Sequence, residues 1–256
     1  MNYNIRKKLY QGKRKDIFTT SKEEELSMLF SDRYYIAKEN NKFEKIIIPG
    51  KGSINNNVSC YFMEKLNMIG ISNHFIKKIN MREQIIQYTE TIPIQFHVST
   101  IAHDRYVNEF SIEEWFVFDQ HIIDYKVKNS KLNYPIINEQ QMLGFDWIID
   151  EEIDDIKKII NNITNFLTGF FLSLNIRLVS LKLEFGRIFN GENFETILID
   201  EISLDNLQLW DIKDNKKLSY ELIQCNNISS NIDINEKYDY SKIIDAYKIL
   251  ADRIIN

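Results

Sequence analysis

Apolar residues recur along this chain with two spacings, and each spacing predicts a different element. Between residues 151 and 174 they fall every three or four positions, which predicts a long helix with one face in the core. The same spacing predicts a helix from Tyr240 to Ile254 and another that begins in the asparagine run at residues 55–57 and stops at Gly70. The remainder of the chain up to about Thr91 reads mainly as strands.

The segment LVSLKLEFGRIFNGENFETILIDE, residues 178–201, alternates apolar and polar residues on both sides of a polar turn at residues 190–193. This pattern predicts a hairpin. With the turn centred near Glu192, Glu184 and Asp200 sit opposite each other on one face. Facing carboxylates repel, so the arrangement calls for a cation, and their hard oxygens suit Mg²⁺. The alternative is a shifted register in which both acids lie on the solvated surface.

Composition fits one large domain or two closely packed lobes, because the 256 residues are 44% hydrophobic and 27% charged. A net charge of -5 does not favour a nucleic acid or an acidic membrane as partner. The longest apolar stretch, residues 166–179, is broken by Asn175 and Arg177, and no apolar signal segment follows the basic start, so we expect a cytoplasmic protein. Cys60 and Cys225 fit reduced thiols better than a disulfide or a zinc site.

Two glycine-containing basic segments could bind phosphate. LYQGKRKDIF, residues 9–18, places Gly12 beside Lys13 and Lys15, although by itself the segment fits a plain basic surface hairpin better. PGKGSINNNVS, residues 49–59, places Lys51 before a helix start, where free N–H groups and the helix dipole favour an anion; a turn with a helix cap is the alternative.

The four histidines lack metal-ligand spacing, so we interpret each as structural or surface-exposed. They are His74, His97, His103 and His121.

Taken in order, these segments resemble one family over nearly the whole chain: phosphoribosylaminoimidazole-succinocarboxamide synthase, or SAICAR synthetase. LYQGKRKDIF resembles its glycine loop, KGSINN its second nucleotide-side loop, GISNHFIKKINMREQ and IPI its strand leading to the hinge, and LKLEFG and IDEISLDNLQLWD its paired strands. The resemblance implies an α+β fold of two lobes with ATP in the cleft between them. The expected lobes are an antiparallel β lobe over residues 1–88 and a larger α+β lobe over residues 89–256.

The resemblance also implies a reaction. ATP activates the carboxylate of an aminoimidazole ribonucleotide as an acyl phosphate, and the amine of aspartate displaces the phosphate to form an amide. Gly12, Lys13, Lys15 and Lys51 would then lie near ATP, Glu184 and Asp200 would hold Mg²⁺, and Lys182 would face the substrate carboxylate. Divalent metal between the two strands would neutralise the facing acids.

The departures from the family pattern are clustered. Where the family carries E-V-V-V-R-N followed by A-A-G-S, this chain has QFHVST at residues 95–100 and AHDR at residues 102–105. Arginines of the family become Ser99 and Gln208, its serine becomes Arg105, and its aspartates become Ser180 and Tyr134. In the family, the residues at positions 99, 105 and 208 grip the ribonucleotide phosphate, and losing two arginines would weaken that grip by about a hundredfold. Arg105 would restore part of it.

Three functions are consistent with this pattern. The first is the family reaction with a rebuilt phosphate grip that uses Arg105, Ser99 and Gln208. The second is an ATP-dependent enzyme of the same stock acting on a different carboxylate or amine, and the third is a non-catalytic ATP-binding remnant. Partners on the first reading are small molecules, and the family commonly forms homo-oligomers.

Overall fold

The computed structural model describes residues 6–37, 43–129, 132, 134–214, 216–221 and 241–256, and it is mixed α and β. The strands are β1 (Lys8–Gln11), β2 (Lys15–Thr19), β3 (Glu25–Phe30), β4 (Arg33–Ala37), β5 (Phe43–Ile47), β6 (Phe75–Asn80), β7 (Glu83–Gln87), β8 (Glu90–Ile101), β9 (Val117–Val127), β10 (Ile136–Ile137), β11 (Ile176–Phe189), β12 (Phe194–Ile199) and β13 (Leu207–Asp211). The helices are α1 (Lys51–Met68), α2 (Arg105–Asn108), α3 (Glu139–Gly144), α4 (Asp150–Ser173) and α5 (Ser241–Ile255).

The first sheet is antiparallel, with strand order β1-β2-β3-β7-β6, and β4 and β5 form a separate two-stranded ribbon. Its small core consists of Met28, Phe30 and Ile86, against which Ile17 and Leu26 pack. All five strands lie between residues 8 and 87, so the antiparallel sheet expected in the first part of the chain is present.

The second sheet has the order β10-β9-β8-β11-β12, with β13 paired to the other end of β11. Along β8, Ile92, Ile94, Phe96 and Val98 are buried and alternate with partly exposed residues such as Gln95, which is the period of a strand with one buried face. The apolar face belongs to the main core. The opposite face of the sheet is polar. Gln95 of β8 and Lys182 and Glu184 of β11 lie on it and line a cavity that the first sheet also lines.

Three long helices complete the main core. Helix α4 starts one residue before the predicted position, and α5 is displaced by one residue from its prediction, so the three-and-four-residue spacing located both elements. Phe62 of α1 packs edge-on against Phe170 of α4 at 5.3 Å between ring centroids, which confirms that the aromatic stripe of α4 lies in the core. Within the described residues, no helix combines the length and the apolar character needed to cross a membrane.

Helix α1 begins four residues before the predicted asparagine run. Gly50, with φ of 91°, turns the chain in a left-handed conformation that a side chain disfavours, and the helix starts directly after it at Lys51. Gly52 then lets the first turn approach β3, since a Cβ there would lie 2.7 Å from the carbonyl oxygen of Phe30. The asparagine-rich segment between Leu218 and Tyr240, whose composition predicts a polar loop, lies outside the described residues from residue 222 onwards.

The hairpin of β11 and β12 forms as predicted, but its register differs by one residue. Glu184 pairs with Ile199, and Phe189 pairs with Phe194 across the turn. The prediction that Glu184 and Asp200 lie directly opposite each other is therefore wrong. Asp200 follows the last residue of β12 and has a φ of 71°, so the alternation that governs the strand no longer sets the direction of its side chain.

Candidate active site

A cavity of about 630 Å³ lies between the two sheets, a volume suited to a nucleotide-sized ligand. One end is lined mainly by apolar side chains of the first sheet and the connection after β7. These are Leu9, Tyr10, Ile17, Leu26, Met28, Ile86 and Tyr88. The other end is charged and is built from the turn before β2, from β11 and from the residues after β12. An apolar slot beside a charged end is the arrangement that a purine base and its phosphates require.

The turn between β1 and β2 brings Gly12, Lys13 and Lys15 into the lining of this cavity. These are the three residues of this segment that the sequence analysis expected near ATP. The turn is closed by the Gly12 amide, which donates to the Lys15 carbonyl at 2.7 Å. A Cβ on Gly12 would lie 2.9 Å from that same oxygen, so the glycine is required by close approach of the backbone. The Lys13 ammonium lies 5.2 Å from the centroid of the Tyr134 ring.

Lysines and carboxylates alternate at the charged end. Lys15 forms ion pairs with Asp200 and, at 2.8 Å, with Glu201, while Lys128 lies 2.5 Å from Glu184. Burial raises the pKa of Glu184, and the neighbouring Asp200 adds to this, whereas Lys128 opposes it. Burial also disfavours ionisation of Asp200, but Lys15 and Lys128 outweigh it and hold the pKa of Asp200 below its usual value. The predicted pair of acids is thus brought together and neutralised by two lysines.

The backbone at Asp200 is held in place by His74. The His74 ring donates from Nε2 to the Asp200 carbonyl oxygen at 2.8 Å, and burial lowers the pKa of His74 to about 4, so the ring is neutral. Asp200 itself has a left-handed φ, and such a backbone conformation at a non-glycine residue is typical of functional sites. The interpretation of His74 as structural is confirmed, and its task is to fix the segment that carries Asp200.

The carboxylates at this end fit Mg²⁺ by their chemistry. Hard carboxylate oxygens are the protein ligands that Mg²⁺ accepts, usually one or two together with phosphate oxygens and water. Glu201 Oε2 is buried and has no hydrogen-bond partner among the described residues, so one acceptor at this end is not yet satisfied. Within the same residues, no group of three or more histidine, cysteine, aspartate or glutamate side chains forms a complete metal site. A Mg²⁺ ion held by one or two of these carboxylates would take its remaining ligands from phosphate oxygens and water.

Lys182 lies at the boundary of the charged end, on β11 two residues before Glu184. Its ammonium is 4.8 Å from the centroid of the Tyr220 ring. Burial lowers the pKa of Lys182 to about 7, and the nearby cations Arg14 and Lys126 add to the effect. A desolvated lysine among other cations favours an anion at this position, and the family resemblance implies that the anion is the substrate carboxylate.

The structure places Lys51 away from the cavity, so the prediction that it lies beside ATP is not met. Its side chain is 1% exposed and forms an ion pair with Asp205, whose oxygens also lie near Arg14 and the hydroxyl of Tyr247. The sequence pattern of a glycine and a lysine before a helix start predicts a phosphate-binding loop here. The helix instead begins at Lys51 itself, which turns the side chain inward.

The three neutral substitutions noted in the sequence are neighbours across strands. Ser180 pairs with Ser99 on β8 and with Gln208 on β13, and its hydroxyl donates to Gln208 Oε1 at 2.7 Å. All three are buried or nearly so. In place of the charged triplet expected from the family, the strands carry three neutral side chains, and the structure records a hydrogen bond between two of them, Ser180 and Gln208.

Arg105, the residue proposed to replace the lost arginines, lies on the short helix α2 outside the lining of the main cavity. Its guanidinium lies 2.9 Å from Asp124 and 3.0 Å from Glu109. Tyr106 also donates to Asp124, at 2.9 Å. Arg105 is therefore already paired, and binding a substrate anion would require it to exchange one of these carboxylates.

Several site residues were missed by the sequence reasoning. Lys128 and Gln95 contact Glu184, Glu201 pairs with Lys15, and Arg14 approaches Asp205. Glu201 had a signal, since it adjoins Asp200 in the motif IDE. Lys128 follows β9 in phase with Asp124 and Lys126, so the period of two would have placed it on the same face once that strand was recognised.

The fold and the cleft define a nucleotide-dependent enzyme, and comparisons with known proteins specify which kind. The family model described as SAICAR synthetase matches residues 8–236. A phosphoribosylaminoimidazole-succinocarboxamide synthase of Rickettsia rickettsii (strain Sheila Smith) is 45% identical over 250 residues, covering 98% of this chain and 99% of the relative. The synthase of the same name from Rickettsia bellii (strain OSU 85-389) is 46% identical with the same coverage.

Solved structures agree. The phosphoribosylaminoimidazole-succinocarboxamide synthase of Ehrlichia chaffeensis has a TM-score of 0.86 at 34% identity, covering 97% of this chain and 98% of that one. A SAICAR synthetase in complex with ADP has a TM-score of 0.82 at 26% identity, with 96% of each chain covered. The chain belongs to the SAICAR synthetase family, whose members are ATP-dependent ligases of purine biosynthesis that use ATP and Mg²⁺.

Proposed function

We propose that this chain joins the carboxylate of carboxyaminoimidazole ribonucleotide to the amine of L-aspartate at the expense of ATP. The observation that carries the proposal is the charged end of the cavity, where Lys15, Lys128, Glu184 and Asp200 alternate beside Lys182. Cations are available for phosphates, carboxylates for a metal, and a desolvated lysine for the acceptor carboxylate. A binding module would have no need of all three within one cavity.

The nucleotide would enter with its base at the apolar end and its phosphates towards the turn that holds Gly12, Lys13 and Lys15. Lys15 and Lys128 would then exchange carboxylate partners for phosphate oxygens, to which ammonium groups also bind strongly. Glu184 and Asp200 would hold Mg²⁺, which in a phosphoryl transfer neutralises the charge that develops on the phosphate oxygens.

Lys182 would orient the acceptor. An oxygen of the acceptor's carboxylate attacks the terminal phosphorus of ATP. The bond between that phosphorus and the oxygen bridging to the β-phosphate breaks, and ADP leaves. The aspartate amine then attacks the acyl carbon, the carbon–oxygen bond to phosphate breaks, and the nitrogen loses a proton to give the amide and inorganic phosphate. The residues of this chain would bring the acceptor carboxylate and the ATP phosphates together and exclude water. Lys182 is suited to this task because it is a desolvated lysine beside the place where the two anions would meet.

The substrate-side residues remain those predicted, namely Lys182, Arg105, Ser99 and Gln208. With Ser99 and Gln208 in place of arginines, the row would offer hydroxyl and amide groups to the ribonucleotide phosphate, and Arg105 would supply the charge after leaving Asp124 or Glu109. Neutral donors bind a phosphate less strongly than guanidinium groups do. We therefore expect weaker binding of the ribonucleotide than a pair of arginines would give.

The division into lobes at residues 1–88 and 89–256 is part of the proposal, and it is supported by the change of sheet between Gln87 and Glu90. A cytoplasmic location, a homo-oligomeric state and the absence of a nucleic-acid partner also remain predictions. Gel filtration coupled to light scattering would test the oligomeric state directly.

The proposed function is tested by ADP release from purified protein with Mg-ATP, carboxyaminoimidazole ribonucleotide and L-aspartate, each omitted in turn. Release should require all components and should fall at least about a hundredfold in Glu184→Gln, since one charged ligand is lost. The matched control is Glu195→Gln, which removes an exposed acid from the same hairpin and should retain full activity. Release that persists without either acceptor, or that Glu184→Gln leaves unchanged, would contradict the proposal.

A further inference from the structure

The polar face of the second sheet carries side chains in cross-strand rows. On β8, Gln95 lies opposite Glu184 of β11, and His97 lies opposite Lys182 of the same strand. Residues directly opposite each other in antiparallel strands place their side chains on one face, and residues two apart on a strand share it as well. His97 is thus one row from Glu184 on the side of the sheet that forms the site.

A hydrogen-bonded chain connects these residues in one direction only. Gln95 Nε2 donates to Glu184 Oε1 at 2.9 Å, and the carboxylate, paired with Lys128 on its other oxygen, accepts. The amide oxygen of Gln95 is therefore turned towards His97 Nε2, 2.7 Å away. A carbonyl oxygen also only accepts, so the proton of the His97 ring must be on Nε2.

The charge state of His97 fits this assignment. Burial lowers its pKa to about 2, and Lys182, Lys126 and His103 add to the effect, so the ring is neutral. A neutral ring has one N–H, and the contact with Gln95 uses it. A rotation of the Gln95 amide by 180° would turn its carbonyl oxygen towards the Glu184 carboxylate, and the hydrogen bond to Glu184 would be lost.

Glu184 is held by a charged group on its other oxygen. Lys128 lies 2.5 Å from Glu184 Oε2, while Gln95 occupies Oε1. When a phosphate approaches, the Lys128 ammonium can leave Glu184 and pair with the phosphate, because the carboxylate and the phosphate are both anions. The neutral Gln95 amide is not drawn to the phosphate by charge and can keep its hydrogen bond to Glu184. Gln95 is therefore the contact that would keep Glu184 in its orientation when the nucleotide binds.

The side chains of Gln95 and His97 are chemically matched to each other and to Glu184. A glutamate at position 95 would place a like charge beside Glu184, and a valine at position 97 would offer no donor. Gln95 and His97 therefore complement each other, since the histidine supplies the donor that the glutamine oxygen requires. We propose that His97 and Gln95 form a matched positioning pair, in which His97 fixes the Gln95 amide and the amide orients the Glu184 carboxylate for binding Mg²⁺ with nucleotide.

This inference rests on the proposed function only in taking Glu184 as a metal ligand. Its test is the Mg²⁺ concentration that half-saturates binding of a non-hydrolysable ATP analogue, measured by calorimetry on the full chain. His97→Val removes the donor, and His97→Gln keeps an amide donor of similar reach. Nucleotide affinity in EDTA and the Tm serve as readouts that do not depend on the metal.

His97→Val should raise the half-saturating Mg²⁺ concentration about three- to tenfold, as expected for the loss of one neutral hydrogen bond. The affinity in EDTA should stay unchanged, and His97→Gln should return the Mg²⁺ requirement to within about twofold of the parent protein. In a Gln95→Met background, the change His97→Val should have no further effect, because the amide through which it acts is gone.

Three results would overturn the positioning role: an unchanged Mg²⁺ requirement in His97→Val, an equal loss of affinity in EDTA, or a His97→Gln protein as impaired as His97→Val. These differ from failure of the proposed function. A parent protein that binds no nucleotide with Mg²⁺ would contradict the proposed function itself, and this inference with it.

Discussion

The sharpest test of the architecture concerns Lys51, which the sequence suggested as a phosphate ligand and which the structure buries against Asp205. The side chains of both residues are 1% exposed, so each charge has been removed almost entirely from water. Arg14 and Tyr247 also approach Asp205, so this single carboxylate joins the turn before β2 to helices α1 and α5. Removing it leaves the Lys51 ammonium buried without its counter-charge.

Breaking a buried pair from one side costs about 3–5 kcal/mol, whereas replacing both partners by apolar groups is often nearly neutral. We expect Asp205→Asn to lower the free energy of unfolding by about 3–5 kcal/mol, which corresponds to roughly 6–20 °C in Tm for a chain of this size. The double variant Lys51→Met/Asp205→Leu should lose less than the sum of the single variants. Nucleotide affinity of folded Lys51→Met should change by less than about threefold, because the residue does not line the cavity.

Urea unfolding followed by circular dichroism measures these free energies, and calorimetry at a temperature where each variant is folded measures nucleotide binding. The pKa of Asp205 is lowered because Lys51 and Arg14 outweigh the effect of burial. A lowered carboxyl pKa stabilises the fold above its unfolded value of 3.8 and loses that contribution as pH falls through the folded value. The deficit of Asp205→Asn should therefore shrink below that pH. A loss under 1 kcal/mol, or a large loss of nucleotide affinity in Lys51→Met, would refute this account of the pair.

Three further predictions follow from single contacts. Lys182→Met should raise the KM for the acceptor carboxylate by at least about tenfold and leave the KM for ATP within about threefold. Steady-state kinetics with each substrate varied in turn measures both constants, and a raised KM for ATP with an unchanged KM for the acceptor would contradict this role. Gly52→Ala should destabilise the protein by about 1–3 kcal/mol in urea unfolding, since its Cβ would lie 2.7 Å from the Phe30 carbonyl oxygen; an unchanged midpoint would show that the contact relaxes. Burial raises the pKa of the Cys60 thiol to about 12, so Cys60 should resist a thiol reagent at pH 8 until the chain unfolds, and rapid modification of the native protein, mapped by mass spectrometry, would contradict its burial.

Much of the fold followed from periodicity, because long helices bury one face and leave a clear repeat. Helices α4 and α5 were located to within one residue for this reason. Helix α1 was placed four residues late, since its first turn is made by Lys51 and Gly52 and its start depends on the left-handed Gly50. That start is governed by contacts with β3 and with Asp205, which lie far away in the sequence.

The site was predictable in part for a similar reason. Gly12, Lys15, Glu184 and Asp200 belong to short motifs, and the structure brings them to one cavity. The register of Asp200 was missed because the turn is centred between residues 191 and 192, and a shift of one position reverses every side chain of a strand.

Partners from elsewhere in the chain could not be inferred from those motifs. Lys128 reaches Glu184 from the residue after β9, and Gln95 reaches it from β8, where His97 in turn contacts Gln95. Both relationships depend on the order of strands in the second sheet. Sequence alternation gives the face on which a residue lies, but it does not give the neighbouring strand.

The most direct test of the central claim is the product of the complete reaction. Purified protein would be incubated with carboxyaminoimidazole ribonucleotide, L-aspartate and Mg-ATP, and mass spectrometry would quantify the amide product and ADP together. We predict the succinocarboxamide ribonucleotide in a one-to-one ratio with ADP, and a rate of formation of both that is at least about a hundredfold lower in Glu184→Gln. ADP without this product, or no ADP from a protein that is folded and stable, would contradict the assignment of the cavity as a SAICAR synthetase active site.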